Sequence, residues 1–171
     1  VELPLDPSLT LDDIQSLNRL LVTCGAPIDD INAVRKHLSA VKGGRLAAAA
    51  PLSTKLTFGV SDVPVGRESA LASGPTLPDP TTVADAYRVI DQYALLAKLL
   101  PRLRALFDRR ALTETPKPGD PAFARAHFEI LLGMTDLFHQ THRVAGAAGC
   151  VTICDNSTDD WPLEPAADFL L

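Results

Sequence analysis

The sequence predicts an α/β fold, with helices flanking a mainly parallel sheet that is incomplete within these 171 residues. Three observations carry that expectation. Amphipathic helical stripes alternate with short apolar, β-rich runs, the pattern of strands joined by crossover helices. Only three strand candidates emerge, at 55–61, 128–132 and 150–154, fewer than such sheets usually hold. The single methionine is Met134, deep in the chain, and residue 1 is Val, so the N-terminus reads as cut from something longer.

The first helix is expected over 11–24, where Ile14, Leu17, Leu21 and Cys24 form one apolar stripe. Thr10 suits its N-cap, Asp12 and Asp13 its positive end, and Gly25 its left-handed stop. A second helix follows Pro27, with Ile28, Ile31, Val34, Leu38 and Val41 on one face and Asn32, Arg35, Lys36 and Ser39 on the other. Gly43-Gly44 interrupts it, and Arg45 with the alanines after it favours another turn or two. The first strand, 55–61, runs straight into Asp62. From Pro64 to Pro80 the chain is rich in Gly, Pro, Ser and Thr, a long functional or irregular loop. Thr81 or Thr82 caps a helix to about Leu96, and a short helix spans roughly 98–110. A proline-rich connection, 113–121, precedes the second strand, and Asp136–Ala148 reads as a helix ending at Gly149. Cys150–Cys154 reads as a third strand, emptying into the acidic loop 155–161, and a last helix starts near Pro165.

Composition excludes several function classes. The longest apolar stretch, Leu46 to Leu52, contains Pro51 and falls far short of the roughly 20 residues of a membrane span. A net charge of −5 argues against nucleic acid, whose partners carry a basic footprint. Three cysteines leave one unpaired under any disulfide scheme, and buried free thiols in a reducing compartment are the expectation. His139 and His142 share a helix face but lack a third ligand in register, so they read as a surface pair.

Three constellations bear on chemistry. Phe58-Gly-Val-Ser-Asp62 is a strand ending in an acid, and ligands of α/β sheets bind beyond the carboxyl ends of strands. A carboxylate there can hold Mg²⁺ or orient a hydroxyl in phosphoryl transfer, although an Asp that merely caps the next turn is the commoner meaning of so short a motif. Arg35-Lys36-His37-Leu-Ser39-Ala-Val-Lys42-Gly-Gly-Arg45 gathers four permanent cations beside two glycines. Backbone N–H groups and lysines in such a run suit phosphate or carboxylate, although a solvated basic face is the commoner meaning. Ala72-Ser-Gly-Pro-Thr76 with Asp79 adds a hydroxyl-rich loop just after the Asp62 strand. Lys117 is placed to approach a ligand, although a rigid polar linker is the plainer reading.

The stretch Asn32-Ala-Val-Arg-Lys-His-Leu-Ser-Ala-Val-Lys-Gly-Gly-Arg-Leu-Ala47, then Val60-Ser-Asp-Val63, then Ala72-Ser-Gly-Pro-Thr76, resembles the class II glycerate 2-kinases. These form the glycerate kinase/MOFRL family, some of whose members are named hydroxypyruvate reductase. Looser similarity continues through Glu114-Thr-Pro-Lys-Pro-Gly-Asp120 to the Asp155 region. The resemblance implies a Rossmann-like fold and ATP-dependent phosphorylation of D-glycerate at its 2-hydroxyl, with Mg²⁺, in the cytoplasm. It places residues 1–171 in the N-terminal glycerate kinase domain, without the glycine-rich segment upstream and the MOFRL domain downstream. It carries over Asp62 as catalytic, and Arg35, Lys36, Ser39, Lys42, Gly43, Gly44, Ser73, Gly74 and Thr76 as substrate- or phosphate-binding residues, with no dedicated metal ligands. The implied partners are small molecules, D-glycerate and ATP; a homodimer is left open. Leu132-Gly-Met-Thr135 departs from the Ile-Gly-Ser-Asn that members often show, and the isolated chain is expected to lack kinase activity. The competing expectations are a hydroxypyruvate reductase, against which stands the lack of a GxGxxG fingerprint, and a non-catalytic binding or scaffold domain.

Overall fold

Helices lead the chain: α1 (Leu11–Thr23), α2 (Ile28–Leu38) and the single turn α3 (Arg45–Ala48) precede strand β1 (Lys55–Val60). A 3-10 segment at Glu68–Ser73, then α4 (Val83–Gln92) and α5 (Pro101–Asp108), lead to β2 (Ala126–Leu132), and α6 (Met134–Ala147) and α7 (Leu163–Leu170) follow. The computed structural model describes residues 2–64, 66–153 and 161–170. It divides into two units, Val1–Leu131 and Leu132–Leu171.

In the first unit, local chemistry sets the helix starts. The Thr10 hydroxyl accepts the Asp13 N–H at 3.2 Å while the Asp13 carboxylate accepts the Thr10 N–H at 2.8 Å, a reciprocal capping box. Thr82 and Asp85 repeat it at α4, at 3.2 and 2.9 Å. The α4 helix stops at Gln92 rather than Leu96, because Ala94 takes a left-handed φ of 49°. A 3-10 turn at Leu96–Lys98 follows, and α5 begins at Pro101, since the residue before a proline is barred from helical backbone.

The core gathers on α2. Leu17 and Leu21 from α1, Val34 and Leu38 from α2, Val89 and Ile90 from α4, and Leu103 and Phe107 from α5 form one buried cluster. Each such side chain contributes about 1.5–3 kcal/mol on burial. Because α1, α4 and the 68–73 segment all pack on α2, its supposed polar face is covered too: Asn32, Lys36 and His37 are buried with Ile31 and Val34.

The sheet has two strands among the described residues, β1 beside β2. The Lys55 N–H donates to the Arg125 carbonyl at 2.8 Å, just ahead of the first residue of β2, and Gly59 faces Phe128 and Ile130 further along. Both strands therefore advance together and are parallel, with α4 and α5 in the crossover between them. The mixed α/β class is as expected. On β1 the apolar Leu56, Phe58 and Val60 are exposed, while Gly59 is buried.

The third strand does not form. Residues 150–153 carry no strand pairing, and Val151 and Ile153 are 98% and 93% exposed; Cys154 lies outside the described residues. An apolar run is a strand only where a neighbour takes up its backbone groups. Cys24 and Cys150 are free, as expected, but not buried: Cys24 is half-buried and Cys150 exposed. In the second unit, α6 starts two residues earlier than expected because the Asp136 carboxylate accepts the Gly133 N–H at 2.8 Å. His139 and His142 sit exposed on α6, the latter hydrogen-bonded to Thr152. The acidic loop 155–160 lies outside the described residues.

Candidate functional site

A cleft of about 690 Å³ opens beyond the carboxyl end of β1, lined by Asn32 and Arg35 of α2, Lys42, Asp62, Ala72 and Ser73 among others. It brings together Arg35, Lys42, Asp62 and Ser73 from three separate sequence motifs. Asp62 stands two residues past β1, exposed, with no hydrogen bond or ion pair among the described residues. The Arg35 Nε is buried without a hydrogen-bond partner, and Arg35, which lines the cleft, makes no ion pair among the described residues. The Lys42 ammonium is held by Glu2 Oε2 at 3.0 Å.

The remaining predicted residues do not line the cleft; they build its wall. The Ser39 hydroxyl accepts the N–H groups of Val41 and Lys42, both at 3.1 Å, turning the chain out of α2. The Gly43 N–H donates to the Ser73 carbonyl at 3.0 Å and the Gly44 N–H to the Gly74 carbonyl at 2.8 Å. In this structure these two donors are engaged with the 73–74 backbone. Gly44 has a φ of +80°, and a Cβ there would lie 2.6 Å from Phe123 Cζ and 2.9 Å from the Leu77 carbonyl oxygen. Only glycine fits both the backbone and the space. The clasped loop is strained, with Ala72, Ser73 and Gly74 successively at φ of 50°, 61° and 58°. Thr76 ties it to the strand through a 2.8 Å contact with the Thr57 hydroxyl.

Lys36 does not line the cleft; it is engaged within the fold. Its ammonium donates to Asp79 Oδ1 at 3.1 Å, with both side chains buried. Burial alone would push the Asp79 carboxyl up, but the Lys36 charge and donors from Thr81 and Lys36 outweigh it and hold it below the ordinary carboxylate value. Thr115 donates to the other oxygen at 2.9 Å. Nearby, Arg45 donates to the Thr113 and Glu114 carbonyls, and Lys117 reaches Glu114 Oε2 at 2.8 Å and donates to the Thr81 carbonyl. Lys117 lies in the irregular connection before β2, as expected, and its ammonium ties that connection to the Thr81 backbone. Burial would raise the Glu114 carboxyl, but Lys117 and the Val83 N–H outweigh it and hold it low. His37 lies buried beside this network, with Nδ1 2.7 Å from the Ala33 carbonyl and Nε2 3.4 Å from Glu114.

Sequence reasoning missed Asn32 as a member of the site. It is buried on the cleft side of α2, and its Oδ1 accepts the Ser73 hydroxyl at 3.0 Å. The available signal was its position three residues before Arg35, which places both on one helix face.

A cleft beyond the carboxyl end of a parallel strand, lined by Arg35 and the open Asp62, lies where α/β domains take their ligands. Comparison with known proteins places it further. Residues 1–108 match the family described as "Domain of unknown function (DUF4147)", and the chain belongs to that family. It is similar to the D-glycerate 2-kinase of Thermotoga maritima, 40% identical over 116 residues, 68% of this chain and 26% of that protein. It is also similar to an Agrobacterium vitis protein provisionally named hydroxypyruvate reductase, 46% identical over 114 residues, 67% of this chain and 25% of that protein. The crystal structure of the Thermotoga maritima glycerate kinase superimposes with a TM-score of 0.70 at 33% identity, covering 86% of this chain and 33% of that one. The resemblance to the class II glycerate 2-kinases is thereby borne out. The chain spans about a quarter of the length of the curated relatives it matches. No helix among the described residues is long and apolar enough to cross a membrane.

Proposed function

We propose that this chain supplies part of the active site of a cytoplasmic glycerate 2-kinase, which phosphorylates the 2-hydroxyl of D-glycerate with ATP. The observation that carries this reading is the meeting of Asp62, Arg35, Lys42 and Ser73 in one cleft at the end of β1. Phosphoryl transfer needs positioning and charge neutralisation more than covalent chemistry. Arg35 supplies a cation for the glycerate carboxylate or a phosphate, and Lys42 a second once its partner Glu2 is displaced or shared. Asp62 orients the acceptor hydroxyl, its carboxylate unengaged by any neighbour.

Among the described residues no group of three or more His, Cys, Asp or Glu is placed to hold a metal ion. Mg²⁺ commonly binds through one or two carboxylates, water and substrate phosphates, so a lone Asp62 fits it as a single protein ligand. When bound there it would neutralise charge on the transferring phosphate. In this reading the residues form part of the N-terminal domain of the kinase, and a homodimer is compatible with it.

A reductase acting on hydroxypyruvate is the second reading, favoured by the name of the Agrobacterium vitis relative. Product analysis separates the two. The intact protein containing this chain, given D-glycerate with ATP, is expected to form 2-phosphoglycerate and ADP. NADH consumption with hydroxypyruvate, and no ADP from glycerate, would replace the kinase by the reductase.

A further inference from the structure

Asn32 is 5% exposed, yet half of its amide is unused. Its Oδ1 accepts the Ser73 hydroxyl, and its Nδ2 has no partner among the described residues, although the side chain lines the cleft. This Nδ2 is not among the fully buried side-chain atoms left without a partner, so it opens to the cleft, where a ligand can take it up. One helical turn on, the buried Arg35 Nε is unpartnered as well. Both groups offer donors only on the same face of α2.

The amide is fixed by Ser73. That residue's carbonyl is clasped by the Gly43 N–H and the next carbonyl by the Gly44 N–H, which holds Ser73 beside Asn32, and its hydroxyl donates to Oδ1 so that Nδ2 is the open end of the amide. We infer that Asn32 Nδ2 and the Arg35 guanidinium form a paired oxyanion site, binding a carboxylate or phosphate oxygen of the ligand, with Ser73 as the positioning residue that sets the donor end of Asn32 toward it. The inference deepens the kinase reading and rests on its assignment of this cleft as the ligand site.

The test is a titration of the intact protein containing this chain, followed by calorimetry or amide chemical shifts, with D-glycerate, inorganic phosphate and glycerol in separate arms. At least one of the two anions is expected to bind and glycerol to bind far more weakly. Asn32→Asp keeps the shape and the acceptor for Ser73 but replaces the donor by a charged oxygen, and is expected to weaken the bound anion at least about tenfold. Asn32→Ala, which adds no buried charge, serves if the first variant does not fold, and is expected to give a similar loss. Ser73→Ala frees the amide to turn and is expected to weaken the anion several-fold while glycerol binding is unmoved, a selectivity a purely structural hydroxyl would not change. Asn32-dependent phosphate binding without glycerate binding upholds the pair and removes the glycerate reading. Glycerate binding that Asn32→Asp or Asn32→Ala leaves untouched upholds the kinase and overturns the pair. A chain that binds neither anion overturns the inference as well.

Discussion

Replacing Gly44 by alanine tests whether the glycine turn clasps the 72–76 loop as described. The substitution places a Cβ at a φ of +80°, which disfavours an L residue by about 1–2 kcal/mol. The same Cβ meets Phe123 Cζ at 2.6 Å and the Leu77 carbonyl oxygen at 2.9 Å. The aromatic ring can shift but the backbone oxygen cannot do so alone, and crowding of this kind adds about 1–3 kcal/mol. The expected total is a loss of about 2–5 kcal/mol, a large part of the ~5–15 kcal/mol that holds a domain folded. Gly25→Ala is the matched control, since Gly25 has nearly the same φ, +79°, but nothing within 4 Å of the added carbon. Its loss reflects backbone conformation alone, about 1–2 kcal/mol, partly offset by a stiffer unfolded chain. Urea unfolding followed by far-UV circular dichroism gives both values from the transition midpoints. Equal losses for the two variants would refute the close packing of Gly44 against the 77 and 123 segments.

Three further outcomes follow from the same structure. Asp79 has a depressed carboxyl, so the unfolded chain binds the proton more readily; the resulting stability is complete above the ordinary carboxylate range and fades as pH falls below about 4. Asp79→Asn is expected to remove that acid dependence and, by stranding the buried Lys36 charge, to lower stability by about 3–5 kcal/mol, read from thermal melts at pH 7 and pH 3. Thr82→Ala removes the α4 cap and should lower stability by about 1 kcal/mol in urea, without effect on ligand titrations. Arg35→Gln removes a cation that lines the cleft; in the intact protein it should raise the KM for glycerate about tenfold or more with little change in melting temperature, measured by initial rates.

Local chemistry was legible, and long-range pairing was not. Thr10 was legible as the cap of the first helix, Thr81 or Thr82 as that of α4, and Gly25 as a helix end, while the reciprocal bonds from Asp13 and Asp85 came only with the structure. Lys55–Val60 read as a strand because its residues favour one. Cys150–Ile153 has the same flavour but no partner strand, and periodicity carries no information about partners. The run from Arg35 to Arg45 was read as a basic patch, yet Lys36 closes on Asp79, 43 residues away, and Arg45 on the 113–114 carbonyls. Those contacts exist because α2 is enclosed by its neighbours, a fact set by the fold and invisible in a helical wheel. Asp62 was legible because the carboxyl end of a strand has a known place in an α/β sheet. Asn32 was not, because its significance lies in a hydrogen bond to Ser73, 41 residues on.

The central claim is that Asp62 stands in the active cleft of a glycerate kinase. The most direct measurement is ADP release from ATP and D-glycerate by the intact protein, wild type against Asp62→Asn. Asp62 is exposed, so the variant should keep its stability within about 0.5 kcal/mol. Turnover is predicted to fall about 10²–10⁴-fold, the range for a positioned carboxylate acting on a reacting hydroxyl. Unchanged turnover in a folded Asp62→Asn protein would contradict the account.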